Sequence, residues 1–277
     1  MPYLEKTTAQ ENETVSIYYE DHGHGQPIIL IHGWPLSSEM WEYQVPALVD
    51  AGFRVIKYDR RGFGRSSRPY EGYNYHSMSE DLNDLIQKLD LEDVILAGFS
   101  MGGGELGQYV GTYGCNKISK LIFISSIAPY MLKTEDNPDG APEEVFEDMK
   151  KNVKKDRAGF LKGFGEGFVN YEELKDRVSE GQLDYNFNIA VGASPKGTLD
   201  CIDAFGKTDL RAALKKINVP TLFIHGDADN IVPSKPTSEQ GHELVKDSKL
   251  EIIEGAPHGL YVTHTEELNK ILLDFIK

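Results

Sequence analysis

Residues Asp93 to Gly107 read DVILAGFSMGGGELG. Val94 to Ala97 are continuously apolar and predict a buried strand, and Gly98-Phe99-Ser100-Met101-Gly102 then fits the G-x-S-x-G turn from a strand into a helix. A turn this abrupt strains its central residue, and a side chain two positions away on either flank would collide with it. Glycine is therefore required at 98 and 102, and Ser100 becomes a candidate nucleophile. The following helix directs its unpaired N–H groups and positive dipole end at negative charge forming near Ser100. Gly102-x-Gly104-x-x-Gly107 also spells a dinucleotide fingerprint, but the acidic ribose ligand expected about 20 residues on is missing, because 124–129 contain no carboxylate. A serine in a glycine-rich turn can also be only a turn residue, so the flanking sequence has to discriminate.

Outward from this stretch, short apolar runs recur: Ile28 to Ile31, Phe53 to Ile56 with one Arg, Leu121 to Ile124, Thr221 to Ile224 and, with one Glu, Leu250 to Ile253. Strands buried on both faces need such runs, so the pattern predicts an α/β fold with a mostly parallel sheet of about eight strands and helices on both faces. TVSIYYED, from Thr14, alternates as an antiparallel edge strand would. Ser77-x-x-Glu80 and Thr263-x-x-Glu266 read as capping boxes ahead of amphipathic helices. Nearly a hundred residues separate Ile124 from Thr221, too many for one crossover, so an insertion is expected there. We place a small helical cap at 129–215, with the core formed by 1–128 and 216–277. Pro142 to Arg157 reads as one of its amphipathic helices. Phe160, Phe164, Phe168, Tyr185 and Phe187 read mainly as cap core, with Phe160, Phe164 and Pro35 nominated as substrate contacts.

The chain has 277 residues and a formal charge of −15, which disfavours nucleic acid and anionic membrane surfaces as partners. No run approaches 18 apolar residues, so no membrane span is expected. The opening MPYLEKTTAQENETV has neither the basic nor the apolar region of a secretory leader, and a cytoplasmic location is the expectation. The composition leaves a homo-oligomer open. Cys115 and Cys201 are the two cysteines, read as reduced packing thiols, and no Cys/His cluster has metal-ligand spacing. His22 and His24 lie in a polar loop without a third ligand and read as solvated. No metal or cofactor is expected.

A serine is a poor nucleophile at neutral pH and needs a histidine to take its proton and a carboxylate to orient that histidine. After a strand-turn-helix serine, the acid and then the histidine should follow at strand ends. His225-Gly226-Asp227-Ala228-Asp229-Asn230 follows one apolar run, and Glu254-Gly255-Ala256-Pro257-His258 follows the next. Ser100 and His258 are thus candidate catalytic residues, with Asp227 and Asp229 both open as the acid.

Five stretches together resemble the α/β-hydrolase fold family, and within it the cofactor-free (non-haem) haloperoxidase, perhydrolase and aryl esterase branch. They are His32-Gly33-Trp34-Pro35 with MWEYQVPAL, YDRRGFGRSSRP from Tyr58, GFSMGGGE from Gly98, HGDADNIVP from His225 and EGAPHGL from Glu254. The family's G-x-x-D acid falls on Gly226-x-x-Asp229, so the resemblance favours Asp229. It also implies oxyanion donors at the N–H groups of Trp34 and Met101. His32 reads as a packing residue bonded to backbone, and Arg60, Arg61 and Arg65 as solvated charges around a chain reversal.

The expected chemistry is acyl transfer through Ser100 on a small ester or carboxylic acid. Hydrogen peroxide would resolve the acyl-enzyme to a peracid that oxidises halide. The alternatives are a dedicated esterase or lactamase, and a small-molecule receptor that retains the triad. Pro35 confines the residue before it to extended angles, so it limits the direction of the Trp34 carbonyl. That carbonyl could accept the second hydroxyl of peroxide, which water lacks.

Overall fold

The computed structural model describes residues 3–7 and 14–277. Its strands are β1 (Tyr3–Thr7), β2 (Thr14–His22), β3 (Pro27–Ile31), β4 (Arg54–Tyr58), β5 (Val94–Phe99), β6 (Ile118–Ile124), β7 (Thr221–Gly226) and β8 (Ser248–Ile253). They form one sheet in the order β1-β2-β4-β3-β5-β6-β7-β8. From β4 to β8 all pairings are parallel, while β1–β2 and β2–β4 are antiparallel.

The continuous apolar runs are explained by two cores. Ile28, Leu30, Ile95, Ala97, Ile122 and Leu222 face one core, where Leu48 of α1 (Gln44–Asp50) is also buried. Ile29, Ile31, Leu96, Phe123 and Phe223 face the other. That second face is covered by Leu82, Leu85 and Ile86 of α2 (Tyr75–Lys88) and by Leu106 and Val110 of α3 (Met101–Tyr113). Each fully buried aliphatic side chain contributes about 1.5–3 kcal/mol of transfer free energy. Phe123 and Phe223, paired in register, stack with centroids 4.8 Å apart.

After β3 the chain moves to β4 on one side, then returns to β5 on the other. The loops leaving β3 and β5 therefore diverge and open a crevice at the carboxyl ends of the strands, where open α/β sheets bind ligands. His32 to Pro35 leave β3 and Ser100 leaves β5, so both border this crevice.

Five helices lie between β6 and β7: α4 (Glu143–Lys155), α5 (Arg157–Phe168), α6 (Glu180–Val191), α7 (Pro195–Lys207) and α8 (Arg211–Leu214). α8 rests against α3, with Leu214 beside Gly107 and Ala213 beside Gly111. After β7 come α9 (Gln240–Leu244), α10 (Leu260–Thr263) and α11 (Thr265–Ile276), and α11 adds Leu268 and Leu272 to the first core.

Several local expectations are corrected. β2 is not the edge, because β1 covers it; β1 escapes a sequence reading since Leu4 is its one buried apolar residue among the described side chains. The cap of α2 is Asn74, whose side chain accepts from the Ser77 N–H at 3.0 Å, and the helix starts two residues before Ser77. Thr263 caps nothing: α11 starts at Thr265, and the Thr263 hydroxyl bonds Gly259 O and His264. Arg60 and Arg61 are not solvated but nearly fully buried in ion pairs, with Glu105 and Asp81 respectively. Arg65 is exposed and pairs with Glu39 and Glu20. The N-terminal segment read against a secretory leader lies partly outside the described residues. No helix among the described residues is long and apolar enough to cross a membrane.

Candidate active site

Ser100 has φ 53° and ψ −119°, a left-handed backbone that a non-glycine residue rarely adopts. The surroundings hold it there. Its N–H donates to Ile124 O at 2.9 Å, and its own carbonyl accepts from Gly103 N and Ile127 N. A Cβ at Gly98 would lie 2.6 Å from Gly102 O, and one at Gly102 would lie 2.4 Å from Ile31 O. Neither contact can relax, since both are with backbone.

The Ser100 Oγ lies 2.9 Å from His258 Nε2, and His258 Nδ1 lies 2.7 Å from Asp229 Oδ2. A carboxylate only accepts, so Nδ1 carries the proton and Nε2 is left to accept from the Ser100 hydroxyl. All three side chains are buried. The Asp229 carboxylate is saturated: Oδ1 accepts from Ile231 N and Val232 N at 2.9 and 2.8 Å, and Oδ2 accepts from His258 and, at 3.2 Å, His225. Burial alone would raise its pKa, but the two histidines outweigh burial and hold it well below the usual carboxylate range. Asp227 is exposed and accepts from Gly255 N at 2.6 Å, shaping the loop that carries His258.

The other side of the crevice is the β3 loop. Met101 N is the first N–H of α3 and lies outside helical bonding, and among the described residues no acceptor takes the Trp34 N–H. His32 is fully buried. Its Nδ1 faces Gly33 O at 2.8 Å and its Nε2 accepts from Arg60 N at 3.0 Å, while burial and then the Arg60 charge keep its pKa well below the ordinary value. Arg60 also donates from Nη2 to His32 O at 2.8 Å and from Nε to Glu105 Oε2 at 2.7 Å. Tyr58 bonds the other Glu105 oxygen. The Arg60–Glu105 pair thus ties the β3 loop to α3, the two elements that carry Trp34 N and Met101 N.

Ser100 and His258 open into a cavity of about 220 Å³ lined also by Trp34, Ile127, Met131, Phe146, Met149, Phe164, Phe205, Asn230, Ile231 and others. No charged side chain lines it among the described residues. The indole N–H of Trp34 donates to Thr198 O on α7 at 3.0 Å, joining the β3 loop to the inserted helices. Phe164 meets Trp34 edge-on at 5.3 Å, and Phe168 meets His258 edge-on at 4.7 Å. These rings sit on α5, RAGFLKGFGEGF, where a Cβ at Gly163, Gly165 or Gly167 would meet nothing within 4 Å.

Of the sequence-nominated substrate contacts, Phe164 lines the cavity. Phe160 does not: it stacks on Phe164 at 5.8 Å. Pro35, joined to Trp34 by a cis peptide, lines a smaller space behind Phe164 with Phe168, Phe187 and Tyr261. Sequence reasoning missed His225, Arg60 and Glu105; Glu105 as the one charged residue of α3 was the available signal for one of them. Cys115 and Cys201 are buried and free. Among the described residues no group of three His, Cys, Asp or Glu is arranged to hold a metal.

Residues 26–265 match the family described as alpha/beta hydrolase fold. The chain is similar to a non-heme chloroperoxidase of Kitasatospora aureofaciens, at 41% identity over 95% of this chain and 96% of the other. It is also similar to a bifunctional esterase/perhydrolase of Acinetobacter calcoaceticus, at 38% identity over the same shares. Among solved structures it is similar to a bromoperoxidase from Bacillus anthracis, 51% identical, with a TM-score of 0.94 over 99% of both chains.

Proposed function

We infer that this chain, which belongs to the α/β-hydrolase fold family, catalyses serine-dependent acyl transfer as a cofactor-free haloperoxidase with carboxylesterase activity. The observation that carries the reading is the unbroken series Asp229–His258–Ser100, at 2.7 and 2.9 Å, opening on an apolar cavity. Similarity to a chloroperoxidase and to an esterase/perhydrolase supports it.

Ser100 Oγ attacks the carbonyl of a small ester or carboxylic acid while His258 Nε2 takes its proton. Asp229 keeps His258 in the tautomer that can accept and stabilises the imidazolium that forms. The N–H groups of Trp34 and Met101 hold the oxyanion. His258 then returns the proton to the leaving oxygen, which departs as alcohol or water. In the second half, His258 draws a proton from water or hydrogen peroxide as that nucleophile attacks the acyl-serine, and returns it to Ser100 Oγ as the acyl–oxygen bond breaks. Water yields the acid; peroxide yields the peracid. In solution the peracid transfers one oxygen, with its proton, to halide, giving hypohalous acid and regenerating the carboxylate. The uncharged lining favours an acyl group without a second charge, and residues 129–215 act as the cap that shapes it.

The test compares p-nitrophenyl ester hydrolysis with halogenation in acetate and peroxide, in the parent chain and in Ser100→Ala. The reading requires both activities in the parent and the loss of both in the variant. Halogenation that survives Ser100→Ala would not pass through an acyl-serine.

A further inference from the structure

His225 is fully buried at the end of β7, and nothing in the steps above uses it. Its Nε2 faces two acceptors, Val232 O at 2.9 Å and Asp229 Oδ2 at 3.2 Å, so Nε2 carries a proton shared between them. Its Nδ1 lies 2.7 Å from the Ser238 hydroxyl, which is also fully buried; with Nε2–H directed at two acceptors, the hydroxyl is the donor in this contact. A hydrogen bond received at Nδ1 makes the opposite N–H a stronger donor. The contacts therefore run in one direction, Ser238 to His225 to Asp229, and meet His258 at the same carboxylate oxygen.

We propose that His225 is a positioning residue for the triad acid: it withdraws charge from Asp229 Oδ2 and fixes that oxygen opposite His258 Nδ1. The inference rests on the reading of Asp229 as the acid. The titratable groups that face this carboxylate are His225 and His258. Sharing Oδ2 between two donors tempers its pull on the proton at His258 Nδ1. Val232 O offers a purely structural alternative, in which His225 only anchors the loop.

The two roles separate in the acid limb of kcat/KM, which reports the free enzyme's base. With p-nitrophenyl acetate, His225→Leu removes the donor and should lower kcat about 10- to 100-fold, as expected for losing a hydrogen bond to a charged group, with KM little changed. It should also move the acid limb upward by roughly half a pH unit, because the carboxylate then attracts the His258 proton more strongly. His225→Gln restores an N–H donor and should return the limb toward its original place. Ser238→Ala keeps the ring, removes a single hydroxyl oxygen, and should move the limb in the same direction by a smaller amount.

An unmoved limb in both His225→Leu and Ser238→Ala overturns the proposal, as does equal impairment of the Gln and Leu variants. If His225→Leu does not fold, Ser238→Ala and His225→Gln carry the test through the same limb. Ser100→Ala in the same assay keeps the two questions apart. Activity retained there defeats the acyl-serine reading, whereas an inactive Ser100→Ala with unmoved limbs defeats only the role of His225.

Discussion

The two sides of the Ser100 cavity are held by different forces. On the sheet side, His258 meets Asp229 across 29 residues and Ser100 across 158, and the Asp229 oxygens are matched by four donors. On the helical side, Phe160, Phe164 and Phe168 recur at every fourth residue of α5 and pack ring against ring at 5.7–5.8 Å. A buried polar group that loses its partner carries its full desolvation penalty, while a ring contact is worth about 0.5–1.5 kcal/mol beyond its area. The polar side therefore decides whether the reaction runs. In the proposed reaction the apolar side would select the acyl group, and it should tolerate change as long as volume is kept.

The sharpest break of this contrast is in the triad. Ser100→Ala or His258→Ala should each lower kcat by roughly a million-fold, and Asp229→Asn by about ten-thousand-fold, because the three act as a unit. Asp227→Ala, whose partner is the Gly255 N–H, should cost far less in the same ester assay. The reverse order for the two aspartates would assign the acid to Asp227.

Next comes the buried ion pair beneath the polar side. Arg60→Met leaves Glu105 buried and without its cation, and breaking a buried pair by removing one partner typically destabilises by about 3–5 kcal/mol. Denaturant unfolding should show that loss, and a value under about 1 kcal/mol would mean that the pair is not what ties the β3 loop to α3. Phe164→Ala should act on selectivity instead, by joining the main cavity to the space behind it. The ratio of kcat/KM for a longer acyl ester to that for acetate should rise about tenfold, the scale of one or two methylenes in an apolar pocket. Equal changes for both esters would remove Phe164 from the specificity wall.

The smallest effect is at Pro35. A hydrogen bond from peroxide to the Trp34 carbonyl would favour perhydrolysis over hydrolysis by about 0.5–1.5 kcal/mol, roughly three- to twelve-fold in rate ratio. Pro35→Leu should reduce peracid formation by that factor relative to ester hydrolysis. If both rates fall together, Pro35 only stiffens the loop.

The same contrast explains what could be read from sequence. Five of the six apolar runs were legible because two-sided burial leaves little polar face, and the strands match them within a few residues; the sixth, in β8, lies at the edge of the sheet with Glu251 and Ile252 exposed. Ser100 and His258 were legible because strand-end position and chain order are local signals. Strand-end position left Asp227 and Asp229 both open, since the choice depends on where a loop points, and only the resemblance through Gly226-x-x-Asp229 favoured Asp229. Arg60 and Arg61 were misread because their partners, Glu105 and Asp81, lie 45 and 20 residues away and only the fold brings them to 2.7 Å. Phe160 was misplaced for a related reason: helical spacing puts it on the same stripe as Phe164, but the stripe extends past the end of the cavity.

The glycines of α5 bear on how such a chain can change over generations. Gly163, Gly165 and Gly167 have no neighbour that an alanine would touch, and each weakens the helix by up to about 1 kcal/mol relative to alanine. Their replacement would leave the ring stripe and the triad untouched. Adaptation to a hotter habitat therefore has an unobstructed route through this helix, one that needs no repacking and no coordinated second substitution.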